Sequence, residues 1–134
     1  MWFRIHISYL KSKRLRFFWS YQIKSGTRYK LYTPYNTTKN VNTAYSSAGI
    51  SGLGNEAITL SDTTLEASIL NTLNGKTDGA INALSISKLT GSVSDLTTAY
   101  GFAGGQIINI GDESVTIDDT TIDAANLNTL NGLT

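Results

Sequence analysis

The side chains best suited to chemistry are carboxylates near the C-terminus. Asp112, Glu113, Asp118 and Asp119, with Asp123 close behind, crowd into twelve residues. Hard cations such as calcium take oxygen ligands, so the first four of these form a candidate calcium site. The corresponding earlier group, Asn55, Glu56, Ser61, Asp62 and Glu66, holds fewer carboxylates. Neither group has EF-hand spacing. Helix capping accounts for Glu66 and Asp123 without a metal, and turns at strand ends account for Asp62 and Asp119.

Other chemistries lack their parts. The chain has no Cys and one His, His6, which sits on the polar side of an alternating stretch. A zinc site or a nucleophile–His triad cannot be assembled from these. No Gly-x-Ser-x-Gly elbow is present. The run Gly49-Ile-Ser-Gly52-Leu-Gly54 follows a helical segment and precedes a strand. Dinucleotide loops have the opposite context, so it reads as a turn. The chain therefore reads as a non-enzyme, with no cofactor beyond the calcium just considered.

A second group could bind anions. Arg4, Lys11, Lys13, Arg14, Arg16, Lys24, Arg28 and Lys30, with Trp19 among further aromatics, suit a nucleic acid or an anionic surface. Two structural readings compete with this one: a β-cap on the repeat region, and a non-native extension. The net charge of +1 hides the asymmetry behind all three readings. Nine of eleven Lys and Arg fall in residues 1–39, and all ten acidic residues lie at or after Glu56.

These groups must be positioned by two different kinds of chain. Residues 1–35 alternate apolar and polar side chains, as in Phe3, Ile5, Ile7 and Tyr9 and again from Leu15 to Ile23. That period of two predicts an antiparallel β-meander. It holds no uninterrupted apolar stretch of signal-peptide or membrane-spanning kind.

Residues 36–134 are repetitive. Glu56 to Thr77 and Glu113 to Thr134 agree at thirteen of 22 positions, and Asn40–Tyr45 matches Asp95–Tyr100. The units run about 40–95 and 96–134, with the last truncated, as in a fragment of a longer chain. Short strands are expected at Ile58–Ser61, Leu84–Ser87 and Val115–Asp118. Each leads to a capping box, Thr63–Glu66, Ser92–Asp95 and Thr120–Asp123, and then to a short amphipathic helix. Asn74-Gly75 and Asn131-Gly132 are expected to stop two of the helices in a left-handed conformation. The whole predicts an α/β solenoid of strand–helix repeats with a parallel sheet on one face, preceded by the meander.

The phrases TLSDTTLEASILNTLNGKTDGAINA, KLTGSVSDLTTAYG and TIDDTTIDAANLNTLNGLT resemble the tandem-repeat exoproteins of marine cyanobacteria. The resemblance covers roughly residues 36–134 and does not include the calcium-binding nonapeptide found alongside many such repeats. It implies a structural, adhesion-type module of a large secreted or cell-surface protein. Its expected partners are neighbouring repeats of the same chain, with a carbohydrate or cell-surface ligand beyond them. A small nucleic-acid or anionic-surface binder using residues 1–35 is the alternative.

Overall fold

A computed structural model describes residues 19–23, 26–30, 37–48 and 52–134. Strands β1 (Trp19–Ile23) and β2 (Gly26–Lys30) form an antiparallel hairpin. The first strand expected of the meander, over residues 3–9, lies outside the described residues.

The rest is α/β. Chain order is α1 (Thr38–Tyr45), β3 (Ile58–Thr59), β4 (Thr64–Glu66), α2 (Ala67–Asn74), β5 (Ile81–Asn82), β6 (Lys88–Gly91), α3 (Val93–Gly101), β7 (Ile107–Ile108), β8 (Ser114–Ile117) and α4 (Ala124–Asn131). The strands form two narrow parallel sheets, β3-β5-β7 and β4-β6-β8. Parallel strands need a crossover between them, and the helices supply part of each one. Consecutive helices pack side by side, α1 on α2, α2 on α3 and α3 on α4.

Each sheet stacks like on like. Ile58, Ile81 and Ile107 are in register in the first sheet, and Leu65, Leu89 and Val115 in the second. All but Val115 are buried, and Val115 packs against the same core. The helices add Val41, Leu70, Leu73, Leu96 and Ala99 to that core. Their spacing of three and four residues is what brings one face of each helix inward.

Each turn of the chain thus carries two short strands in separate sheets, where one strand was expected. Leu84–Ser87 is not a strand. The Leu84 amide donates to Asn82 Oδ1 and the Ile86 amide to the Ala83 carbonyl. This tight turn buries Ile86 and leaves Leu84 73 % exposed. Helices α2 and α4 also start later than their expected boxes; before α2, Thr64–Glu66 is held in β4 by pairing with β6. Glu66 and Asp123 become the N-caps themselves. Gly75 and Gly132 end these helices with φ of −72° and −80°, which is right-handed and not the left-handed stop expected.

The stacking step differs from the sequence repeat. Paired strands lie 23 and 26 residues apart in the first sheet and 24 and 26 in the second. The near-identical phrases lie 57 residues apart. Ile58 and Val115, equivalent by sequence, therefore sit in different sheets, at the first strand of one and the last of the other. Among the described residues no helix is long and apolar enough to cross a membrane.

Candidate functional site

The strongest polar feature is built twice. Tyr45, in the last turn of α1, donates its hydroxyl to Glu56 Oε2 at 2.5 Å. Tyr100, near the end of α3, donates to Glu113 Oε2 at 3.2 Å. The same carboxylate oxygens accept the amides of Gly54 and Gly111 at 2.8 and 2.9 Å. Both glutamates are buried, and Oε1 of each is buried without a partner among the described residues. Gly54 and Gly111 have φ of +139° and +134°, a region where a side chain would be strained.

The electrostatics of the two sites agree. Burial pushes the Tyr45 hydroxyl well above the ordinary tyrosine value, and the hydrogen bond to Glu56 pushes it further. Burial does the same to Tyr100, followed by the charge of Glu113. These hydroxyls stay protonated at neutral pH and act as donors, not as bases. Each site is a clamp that ties the end of a helix to the segment leading into a later strand, β3 in the first copy and β8 in the second. The loop it spans is two residues longer in the second copy, and the clamp survives the insertion.

A third tie holds the first clamp. Thr77 Oγ1 donates to the Glu56 carbonyl and accepts the Gly79 amide. Gly79 lies so close that an added Cβ would stand 2.0 Å from the Glu56 carbonyl oxygen. Only a residue without a side chain allows that approach.

Carboxylates also cap helices from far along the chain. Asp62 Oδ2 accepts both the amide and the hydroxyl of Thr38, the first residue of α1, at 2.7 and 2.8 Å. Asp119 Oδ2 accepts the amide of Val93, the first residue of α3, at 2.6 Å. A helix N-terminus has free N–H groups and a partial positive charge, and each carboxylate meets both. Ser92 caps α3 as expected, its hydroxyl accepting the Asp95 amide, and that hydroxyl donates in turn to Asp95 Oδ2.

The candidate calcium residues are therefore engaged separately. Glu113 belongs to the clamp and Asp119 to the cap, while Asp112 and Asp118 are exposed. Among the described residues no three His, Cys, Asp or Glu side chains gather as a metal-binding group. An open cleft of about 490 Å³ lies beside Glu113, lined by Leu84, Ile86, Ser87, Asn109, Ile110 and Asp112. It holds no imidazole and no thiol, and only one of its two carboxylates is exposed.

Of the candidate anion-binding residues, Trp19 is in β1, and Arg28 and Lys30 are in β2. The register sets Trp19 opposite Lys30 and Tyr21 opposite Arg28. Arg4, Lys11, Lys13, Arg14, Arg16 and Lys24 lie outside the described residues.

The tyrosine–glutamate clamps were missed by sequence reasoning, although their signal was present. Ala-Tyr and Gly-x-Glu both recur, on either side of the same loop. Compared with models of protein families, with curated proteins and with solved structures, the chain finds no match.

Proposed function

We propose that residues 36–134 are a solenoid of stacked strand–helix coils. They serve as a non-enzymatic structural module, of adhesion type, in a large secreted or cell-surface protein. The observation that carries this reading is where the recurring residues are used. Glu56 and Glu113 clamp, Asp62 and Asp119 cap the helix of the preceding coil, and Leu70, Leu73 and Leu130 pack. What recurs is spent on joining one coil to the next. The resemblance to exoprotein repeats points to the same use and supplies the extracellular setting.

A tandem chain tests the stacking. Residues 78–134 are appended after Thr134, which gives α4 a following coil. In a stacked array each added coil contributes its own interface. The midpoint is expected to rise by about 2–4 °C for each kcal/mol gained, in a single transition. An unchanged midpoint, or two independent transitions, rejects the reading.

A further inference from the structure

Two neighbouring corners of the chain begin and end alike but follow different paths. The first runs from Ala83 to Ser87, between β5 and β6, and the second from Asn109 to Glu113, between β7 and β8. Their flanking residues are in register, Asn82 with Ile108 and Lys88 with Ser114. Between those ends the backbones part. The first corner folds into a tight turn, its Ile86 amide donating to the Ala83 carbonyl at 2.8 Å. The second passes through φ of +58° at Asn109 and +134° at Gly111, a region that asparagine and glycine tolerate best. One side chain pins both paths. Asn82 Oδ1 accepts the Leu84 amide at 3.1 Å and Asn109 Nδ2 at 2.9 Å. The cleft of about 490 Å³ beside Glu113 is lined by both corners, with no residue of α4 among its walls.

The lining combines two chemistries. Leu84, Ile86 and Ile110 make it apolar, and Leu84 is exposed. Asp112 and Glu113 make it anionic, and no lining residue is basic. Glu113 is the most buried polar side chain of the lining, 8 % exposed. Its Oε2 accepts the Tyr100 hydroxyl and the Gly111 amide, but Oε1 has no donor among the described residues. A carboxylate oxygen kept from water and left without a donor is costly. An opposite charge brought close to it is attracted more strongly than in open water.

We propose that this cleft receives a lysine side chain of a partner protein. The four-carbon stem lies along Leu84, Ile86 and Ile110, as such stems do on apolar surface. The ammonium meets Asp112 at the rim and gives Glu113 the donor that Oε1 lacks. An ammonium carries three donors and no acceptor, so it suits carboxylates throughout. A guanidinium suits the site less well. Its fork is matched to both oxygens of one carboxylate, and Glu113 Oε2 is already committed to Tyr100 and Gly111. The site needs only the two corners and is independent of the stacking reading above.

Amide chemical shifts of the full chain, followed by NMR at constant ionic strength, test the proposal. The probe is lysine blocked at both ends as N-acetyl-lysine methylamide, titrated well beyond a millimolar dissociation constant. Saturable shifts are expected in residues 84–87 and 109–113. The norleucine analogue, which keeps the stem and lacks the ammonium, is expected to leave them unmoved. Asp112→Asn is expected to weaken binding by about two- to fivefold, as removal of an exposed charge partner does. Leu84→Ser removes the exposed apolar wall and is expected to weaken it as well. Both positions are exposed, and unchanged shifts in α2 and α3 show that each variant is folded. Absence of saturation overturns the proposal, as do equal shifts with norleucine or shifts scattered over other carboxylates. Calcium chloride that moves the same amides while lysine does not also overturns it, and marks a metal site. A tandem chain that fails to gain stability, with lysine still bound here, rejects stacking and leaves the cleft reading intact.

Discussion

Tyr45 and Tyr100 make the same contact in the two copies of the repeat. Each hydroxyl supplies one of two hydrogen bonds to a buried glutamate oxygen, and a glycine amide supplies the other. Removing the hydroxyl leaves a buried carboxylate short of a donor. Tyr100→Phe is expected to cost about 1–3 kcal/mol, measured by urea denaturation, with a similar loss for Tyr45→Phe. The pH dependence has a definite sign. Both hydroxyls are raised above their ordinary value of 10.0 by burial first, and then by Glu56 or Glu113. Above that value the unfolded chain loses the proton while the folded chain keeps it. The stability from each tyrosine is thus complete below pH 10.0 and declines as pH rises past it. The double variant Tyr45→Phe/Tyr100→Phe is expected to show a shallower alkaline decline. An unchanged alkaline slope shows that the clamps do not hold these protons.

At the scale of elements, two aspartates hold helix ends from a distance. Asp62 and Asp119 cap the start of α1 and α3 from 24 and 26 residues away in sequence. Among the described residues helix α2 has no such partner. Gly91 lies against its first residue, with an added Cβ 3.7 Å from the Ala67 amide nitrogen. Asp119→Ala is expected to cost about 0.5–2 kcal/mol, and the exposed neighbour Asp118→Ala close to nothing, in thermal melts. Equal losses would show that the cap does not hold α3. These aspartates also show what the sequence could and could not reveal. Ser92 with Asp95 is legible because a cap needs only residues three apart, and the Ser92 cap forms as expected. The Thr63–Glu66 box has the same spelling, but pairing of β4 with β6 keeps Glu66 extended. Asp119 was legible only as a carboxylate in an acidic run, because its partner Val93 lies 26 residues away and not at local spacing. Leu84 and Ile86 alternate like a strand, yet the Asn82 side chain turns the chain between them. The α/β class followed from repeated strand and helix patterns. The division into two narrow sheets depended on pairings between residues 23 to 26 apart, which no local pattern encodes.

For the molecule as a whole, the order of packing sets an order of local stability. Helix α2 is held between α1 and α3, and α3 between α2 and α4, but among the described helices α4 packs on α3 alone. Leu70, Leu73, Leu96 and Ala99 are fully buried, whereas in α4 Ala124 through Thr129 are exposed and Leu130 alone is buried. In the proposed solenoid, whose coils would touch only their neighbours, opening starts where a coil has one neighbour and is costly where it has two. Amide hydrogen exchange is therefore expected to be slowest in α2, α3 and β6 and fastest in α4, graded coil by coil. Uniform protection would mean that the chain opens all at once, and nearest-neighbour coupling would not describe it. The gradient also responds to what covers α4. In the tandem chain the amides of the original α4 are expected to slow toward those of α2, because that helix then has a neighbour on each side. The fast-exchanging helix becomes the last one of the appended segment. If the original α4 keeps its fast exchange there, its exposure comes from its own sequence, such as Asn126 in place of Ile69, and not from the missing coil.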